Sequence, residues 1–581
     1  MADSINGGNK KEMSMELRLL LAFLLMGAIM FSTQYFFKPA TPPPLKKTAP
    51  AAQVAQPAPE NATTPESTPA QAPAAAEPAE AATASAPTSP ATPKQALPPY
   101  IIDTGVFRVV FSNQGANVRS WQLKKYKGND DKPLELMNPA AAIEDPYPFS
   151  LYIPDQQPLA RKVNWAYYQP AGDPVGLGLT YEFSDGHTTA RKTFRFRKNS
   201  YLVEVSTELA IDGKPVPHMI AWRGGFGDLT VANPAGNEKT LFYDLTANKL
   251  VEQTARSAKN GPIANGGNYS FAGLADSYFA AVFLPVSNAA VRMATIPDFT
   301  RTALDERSQA FTGAAVSDGD SNHFELFVGP KDVDLLKSVN PKLEQVVDFG
   351  WLAFLAKPLF LIVNWFNDHA VHNFGWAIVL VTVVINFVLF PLKLSNMKSM
   401  RKMQALKPQI DVINLKYKNV GLRDPKKADQ NQEVMDLYKK NGVNPMGGCF
   451  PMLIQIPFFI AFYKVFTVSV EMRGANWLWV TDLSQPEHLA IKILPIVMIV
   501  SQFVMQAMTP QAGGDPNQQK MMKFMPLLFG FMFYNFPSGL VLYYLTSNLV
   551  SMGQQWFFNH TEAALAAARS VEPPKKKIGR K

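Results

Sequence analysis

The stretch "FPSGLVLYYLTSNLV", Phe536–Val550, is apolar enough to enter a bilayer, yet it carries Ser547 and Asn548. The same contradiction recurs upstream. Asn386, Gln455, Lys464, Gln502 and Asn535 interrupt apolar runs between Gly375 and Val550. Lipid does not solvate amides or ammonium groups, so such side chains face a protein interior or a wet cavity. No cofactor motif accompanies them. The reading is an α-helical membrane protein with an amphiphilic interior, and that interior is where function is sought.

Four runs read as spans: 375–391, 447–470, 489–509 and 523–550. A fifth, Leu19–Phe37, has no charge, follows Lys10, Lys11 and Arg18, and approaches the roughly 20 residues a crossing needs. It is too long for a signal-peptide core and no A-x-A site follows directly, so it reads as an uncleaved anchor after a short cytoplasmic tail, 1–18. Within 341–374, Lys357, Pro358, Asn364, Asn367 and His369 interrupt an apolar segment, which suits a helix lying in the membrane interface. The 392–446 loop carries about a dozen Lys and Arg and far fewer acids, a cytoplasmic signal. The 471–488 loop has only Arg473 and reads as external, while 510–522 returns inside. The 551–581 tail ends on Lys575, Lys576, Lys577, Arg580 and Lys581 and reads as cytoplasmic. The expectation is five spans, with both termini inside.

Residues 38–99 are dominated by Pro, Ala and Thr, too polar to bury a core, and read as an extended tether. From 100 to 340 short alternating runs appear, such as "FRVVFSN", "LGLTYEFSD" and "SNHFELFVGP", broken by Gly and Asp-Gly turns. They predict an antiparallel β-sandwich on the outer side. Its histidines, His187, His218 and His323, are scattered, and no H-E-x-x-H, G-x-S-x-G or P-loop spacing occurs. The domain reads as a binding or scaffolding module, not an enzyme. A single cysteine, Cys449, excludes an intramolecular disulfide and a multi-cysteine zinc site. Neither cofactor nor metal is expected. The alternative class is a small-solute transporter or channel with an outer binding module. Repeated halves with broken, charged helices would favour it. The sequence shows no such repeat, although Pro537 and Gly539 of "NFPSG" allow a broken helix inside the 523–550 span.

"NPMGGCFPMLIQIPFFIAFYKVF" (Asn444–Phe466), Phe536–Val550, "FPLKLSNMKSMRKMQALKPQI" and "DPNQQKMMKFMP" resemble the YidC family of membrane protein insertases. The resemblance covers Trp351–Phe558. The anchor, tether and outer β domain are similar to the family's Gram-negative form. The resemblance implies insertion of nascent membrane proteins into the inner membrane, alone or with the Sec translocon, without a nucleotide. It also implies a functionally important cytoplasmic hairpin. The ribosome or targeting factors are expected partners of that hairpin and the basic tail, with the phospholipid bilayer as the medium.

A groove lined by amides and hydroxyls would let a substrate's polar tail keep hydrogen bonds while crossing hydrocarbon. The candidate lining is Thr382 and Asn386, one helical turn apart on one face, with Gln455, Tyr543, Tyr544, Ser547 and Asn548. By resemblance, Thr382, Gln455 and Tyr544 fall at groove-lining or substrate-contacting positions. The family usually has an arginine five residues before the proline of its F-P-L element; here that position is Asn386. Lys393, seven residues on and roughly 10 Å lower along a helix, is the candidate compensating cation. Lys464 is expected to snorkel outward. The groove is expected to act mainly through hydration, to tolerate Asn386→Arg, and to work without most of the β domain.

Overall fold

In a computed structural model of the chain, the described residues are 95–143, 148–173, 175–231, 233–286, 290–302, 307–418, 420, 426–443, 450–509 and 516–571. The anchor, nearly all of the tether, Cys449 and the lysine-rich terminus lie outside them. Pro90–Lys418 with Val434–Lys581 forms one compact unit. Of the second unit, Met1–Ser89 with Asn419–Glu433, only Val420 and a helical stretch from Lys426 are described.

Alternation builds the β domain. Along Phe107–Ser112, Phe107, Val109 and Phe111 turn inward while Arg108 turns out. Along Thr188–Phe196 the inward set is Thr188, Ala190, Lys192, Phe194 and Phe196. The described strands form three antiparallel sheets, of four, ten and five strands. The large sheet runs through Phe279–Pro285, Asn322–Pro330, Leu202–Ile211 and Thr188–Phe196 as neighbours. All three sheets share one apolar core. Trp121 of the first sheet and Trp222 of the third have ring centroids 5.6 Å apart, and Phe111 meets Phe194 of the large sheet at 4.9 Å. The single predicted sandwich is therefore one large sheet faced by two smaller ones. The period of two also drives one lysine inward. Lys192 is fully buried and donates to Gly115 O (2.6 Å), Phe149 O (2.6 Å) and Asn117 Oδ1 (3.3 Å).

After the domain come helix α1, Ala353–Phe366, and helix α2, Phe374–Val388. A π-helical turn and His372, at φ +48°, form the corner between them, and the chain bends there by 114°. The Asn373 side chain caps α2 by accepting from Trp376 N. Gly375 lets α2 approach Trp477, because a Cβ there would lie 2.2 Å from the indole. Helix α3, Phe390–Ala405, starts with Pro391 in its first turn, where proline's missing N–H costs nothing. Helices α4, Lys407–Lys416, and α5, Lys426–Lys440, follow. Met403, Leu406 and Ile410 pack with Tyr438 and Val443 in a small separate core. Helix α6 is Phe450–Val468 and α7 is Ile493–Met508.

The expected span 523–550 is two helices, α8, Pro516–Phe533, and α9, Ser538–Val571. The break is a built corner. Lys492 Nζ donates to Tyr534 O (2.9 Å) and Asn535 Oδ1 (3.0 Å), while Ser538 N and Gly539 N donate to Gln485 O and Leu483 O (both 2.8 Å). Contact registers give the directions. Tyr534 lies at Lys492, and Gly530 faces Ile499 so closely that a Cβ would come within 2.3 Å of it. Helix α8 is therefore antiparallel to α7. Ser538 lies at Gln485 and Asn548 at Ser501, so α9 runs parallel to α7. Gly539, Tyr543 and Ser547 meet Phe466, Phe462 and Gln455, so α6 is antiparallel to α9. Ser547, Ser551 and Asn559 meet Asn386, Lys393 and Arg401, so α2 and α3 run parallel to α9. Direction thus alternates through α2, α6, α7, α8 and α9.

Among the described residues no single helix is both long and apolar enough to cross a membrane; α1 and α2 qualify only as a bent pair. Gln455–Val468, Ile493–Met508 and Phe524–Phe533 are shorter apolar helices. Their outward faces are nevertheless apolar. Phe387, Val388, Val500, Phe524, Leu528, Phe531 and Leu549 are all more than half exposed.

Ion pairs tie the β domain to this helical core. Lys357 of α1 pairs with Glu344, which also meets Lys337. Lys464 of α6 was expected to snorkel outward; its side chain is mostly buried and its Nζ lies 3.6 Å from Asp348. Arg473, just after α6, pairs with Asp228. Val470 packs into the apolar core of the β domain itself.

Candidate functional site

Four helices bring polar side chains to one point. Asn386 sits in the last turn of α2, three residues before the chain leaves ideal α geometry ahead of Pro391. Its Nδ2 donates to Thr382 O (2.8 Å), leaving Oδ1 as an acceptor aimed at α9. Ser547 Oγ of α9 donates to that oxygen (3.3 Å). Gln455 Nε2 of α6 donates to Ser547 Oγ (3.2 Å), and Tyr543 lies beside them on the same cavity wall. Lys393 completes the set. Its stem climbs back toward α2, and Nζ donates to Asn386 Oδ1 (2.5 Å) and Ser551 Oγ (2.9 Å). The lysine seven residues past the asparagine thus touches it.

These groups border a cavity lined by Ile385, Asn386, Leu389, Leu392, Lys393, Asn396, Gln455, Phe458, Tyr543 and Ser547. The cavity volume is ≈ 30 Å³. About 10–15 Å³ admits one water, and polar partners are present to hold it. Asn396 Oδ1 is buried there with no hydrogen-bond partner among the described residues.

The predicted lining divides in two. Asn386, Gln455, Tyr543 and Ser547 border the cavity, with Lys393. Thr382 is buried and bonds Ile378 O of its own helix (2.6 Å). Asn548 turns to α7, donating to Ser501 Oγ (3.0 Å), and Tyr544 packs on Phe533 of α8 with centroids 4.9 Å apart. Asn548 and Tyr544 thus join α9 to its neighbours, while Thr382 bonds within α2. Sequence reasoning passed over Ser551, Asn396 and Gln554. Ser551 is one turn past Ser547 and shares its face, a spacing that was available to find it.

Polar groups inward, apolar surface outward and a β domain latched to one end define a class: an integral membrane protein with a polar-bordered cavity between its helices. Comparison with known proteins narrows it. Residues 365–564 match the family model described as 60Kd inner membrane protein, and 100–362 match the YidC periplasmic domain. The Membrane protein insertase YidC of Geotalea daltonii is 33% identical over 563 residues, covering 94% of this chain and 99% of that one. Its namesake in Cupriavidus taiwanensis is 38% identical over 389 residues, 63% of this chain and 65% of its own. A solved YidC insertase, with its first transmembrane domain resolved, aligns over 80% of this chain and 95% of its own, at 20% identity and a TM-score of 0.36. The chain belongs to the YidC family of membrane protein insertases, inner membrane proteins with a β-rich periplasmic domain.

Proposed function

We propose that this chain inserts nascent membrane proteins, seating a substrate's polar flank against Asn386, Gln455, Tyr543 and Ser547 while its apolar segment passes sideways into lipid. One observation carries the reading: amide, hydroxyl and ammonium groups from α2, α3, α6 and α9 converge on a hydratable cavity inside a helical core whose outer surface is apolar. A charge at the membrane centre costs about 2.5–3.5 kcal/mol on insertion scales, so hydrogen bonds kept part-way lower the barrier. Lys393 serves as the groove cation in place of the family's arginine, supported by its bond to Asn386, the arginine's position.

Six crossings fit this arrangement better than five. Five crossings put the termini on opposite sides, in conflict with the basic charge near both. Alternating α2, α6, α7, α8 and α9 supply five, and the Leu19–Phe37 anchor adds a sixth. Both termini and the basic α3–α5 hairpin then face the cytoplasm. The Sec translocon enters this reading through the family resemblance, and the ribosome through the hairpin's charge.

Neighbouring residues on α9 give the test. A photocrosslinker at position 547 faces the cavity, and one at 548 faces α7. During synthesis of a short membrane protein, position 547 should capture the nascent chain and 548 should not. Equal capture from both, or capture from 548 alone, contradicts the groove.

A further inference from the structure

We propose that Ser551 and Gln554 are positioning residues that hold the Lys393 ammonium at the inner end of the groove, and so set a preference for substrates with acidic tails. The inference rests on the groove reading above.

Lys393 stands in the first turn of α3 on a long flexible stem. A lysine so placed ordinarily extends its strongly hydrated head toward water. Here the head points back along the chain, held by two oxygens. Asn386 Oδ1 accepts at 2.5 Å and Ser551 Oγ at 2.9 Å. An ammonium has three donors. Two are engaged, and among the described residues the third has no protein partner. Because Lys393 borders the cavity, that donor is available to a carboxylate or a peptide carbonyl entering it.

Gln554 acts on the backbone. Its Nε2 donates to Asn386 O (3.1 Å), a carbonyl just ahead of the turn that Pro391 disturbs. Gln554 lies three residues past Ser551, so the two share a face of α9. One fixes α9 against α2 at the level of Asn386; the other then meets Lys393. A second contact keeps the register. Arg401, eight residues past Lys393, donates to Asn559 O (3.3 Å) and Oδ1 (3.2 Å) and lies 4.9 Å from the Phe558 ring centroid. Asn559 is eight residues past Ser551. The offset between helices is 158 residues at both contacts, so sliding α3 along α9 breaks both together.

The test uses the full-length protein in liposomes and two single-span substrates differing only by Asp or Asn in the translocated tail. Ser551→Thr keeps the hydroxyl, and Ser551→Val has the same shape without an acceptor. The expected result is an acidic-to-neutral insertion ratio that Ser551→Thr keeps. Ser551→Val lowers it about three- to tenfold, the equivalent of one hydrogen bond. Gln554→Ala moves the ratio the same way, and Lys393→Ala removes the preference. If Lys393→Ala removes the preference while Ser551→Val matches Ser551→Thr, the positioning role is overturned and the groove cation stands. If Ser551→Val weakens both substrates equally, the role is purely structural and the proposal fails. If Lys393→Ala leaves the ratio unchanged, the groove cation fails and this inference with it.

Discussion

Arg473, in the connection from α6 to α7, is paired with Asp228 of the β domain, and the two side chains are only 6% and 1% exposed. The pair is further enclosed. Asp228 N donates to Asp276 Oδ2 (2.7 Å), and the guanidinium lies 5.9 Å and 5.6 Å from the ring centroids of Tyr278 and Phe279. Removing one member of such a pair strands the other charge, at a cost of about 3–5 kcal/mol, whereas replacing both by apolar groups is often neutral. Asp228→Ala should therefore depress thermal unfolding of the detergent-solubilised chain far more than Asp228→Ala with Arg473→Met. Equal losses in the single and double variants would show that the pair does not hold the two parts together.

That latch changes what the β domain's removal should do. Deletion of Tyr100–Ser321 cuts between paired strands, because Asn322–Pro330 belongs to the large sheet. A cleaner cut removes Tyr100–Pro330. It keeps Glu344 and Asp348 for Lys357 and Lys464, but strands Arg473. It also uncovers Glu471, whose buried carboxyl is pushed up to about 7 by desolvation. The deletion should retain insertion, and Arg473→Ser should raise the yield of folded protein in that background. Loss of insertion with the helical core still folded would give the domain a direct part in the reaction.

Much of this was legible in sequence, and the misses have local causes. Alternation announced the β strands, and polar residues in apolar runs announced the interior. A break at Pro537 and Gly539 was readable, but not that it reverses the chain into the α8–α9 hairpin, because Phe533, Tyr534 and Phe536 keep the run apolar through the turn. Asn535, Pro537 and Gly539 mark the break, but what fixes it, Gln485 and Lys492, is remote in sequence. Thr382, Tyr544 and Asn548 were grouped with the groove because composition does not say which face of α2 or α9 meets which neighbour. Lys192 was overlooked although its own alternation, Ala190–Lys192–Phe194, places it inward.

Lys192 gives a pH prediction. Burial pushes its ammonium down to about 7, against about 10.4 in an unfolded chain. Between those values the unfolded state holds a proton that the folded state lacks, so this group makes stability rise with pH. The slope approaches about 1.4 kcal/mol per pH unit at most. Glu238, whose buried carboxyl is pushed well up by desolvation, acts in the opposite sense. The difference between wild type and Lys192→Met isolates the lysine. The variant's stability relative to wild type should fall steadily from pH 7 to 9 in denaturant titrations followed by tryptophan fluorescence. A flat difference would mean that Lys192 stays charged in its buried site.

The asparagine that replaces the family's arginine gives the last prediction. Read as a hydrated groove alone, the sequence suggests that Asn386→Arg is harmless. The geometry reverses that expectation. Lys393 Nζ lies 2.5 Å from Asn386 Oδ1, and the same oxygen accepts from Ser547. An arginine at 386 removes the acceptor and sets a guanidinium beside the ammonium. Two unit charges about 4 Å apart repel by roughly 4 kcal/mol at an effective dielectric of 20. Asn386→Arg should therefore lower both thermal stability and insertion, with Lys393 driven out of the groove. Adding Lys393→Ala removes the repulsion and leaves one cation near its usual family position, so the double variant should recover insertion of acidic-tailed substrates. Insertion assays on the two single variants and the double variant decide it. If Asn386→Arg alone performs like wild type, Lys393 does not occupy the groove in the working protein, and hydration without a fixed charge becomes the better account.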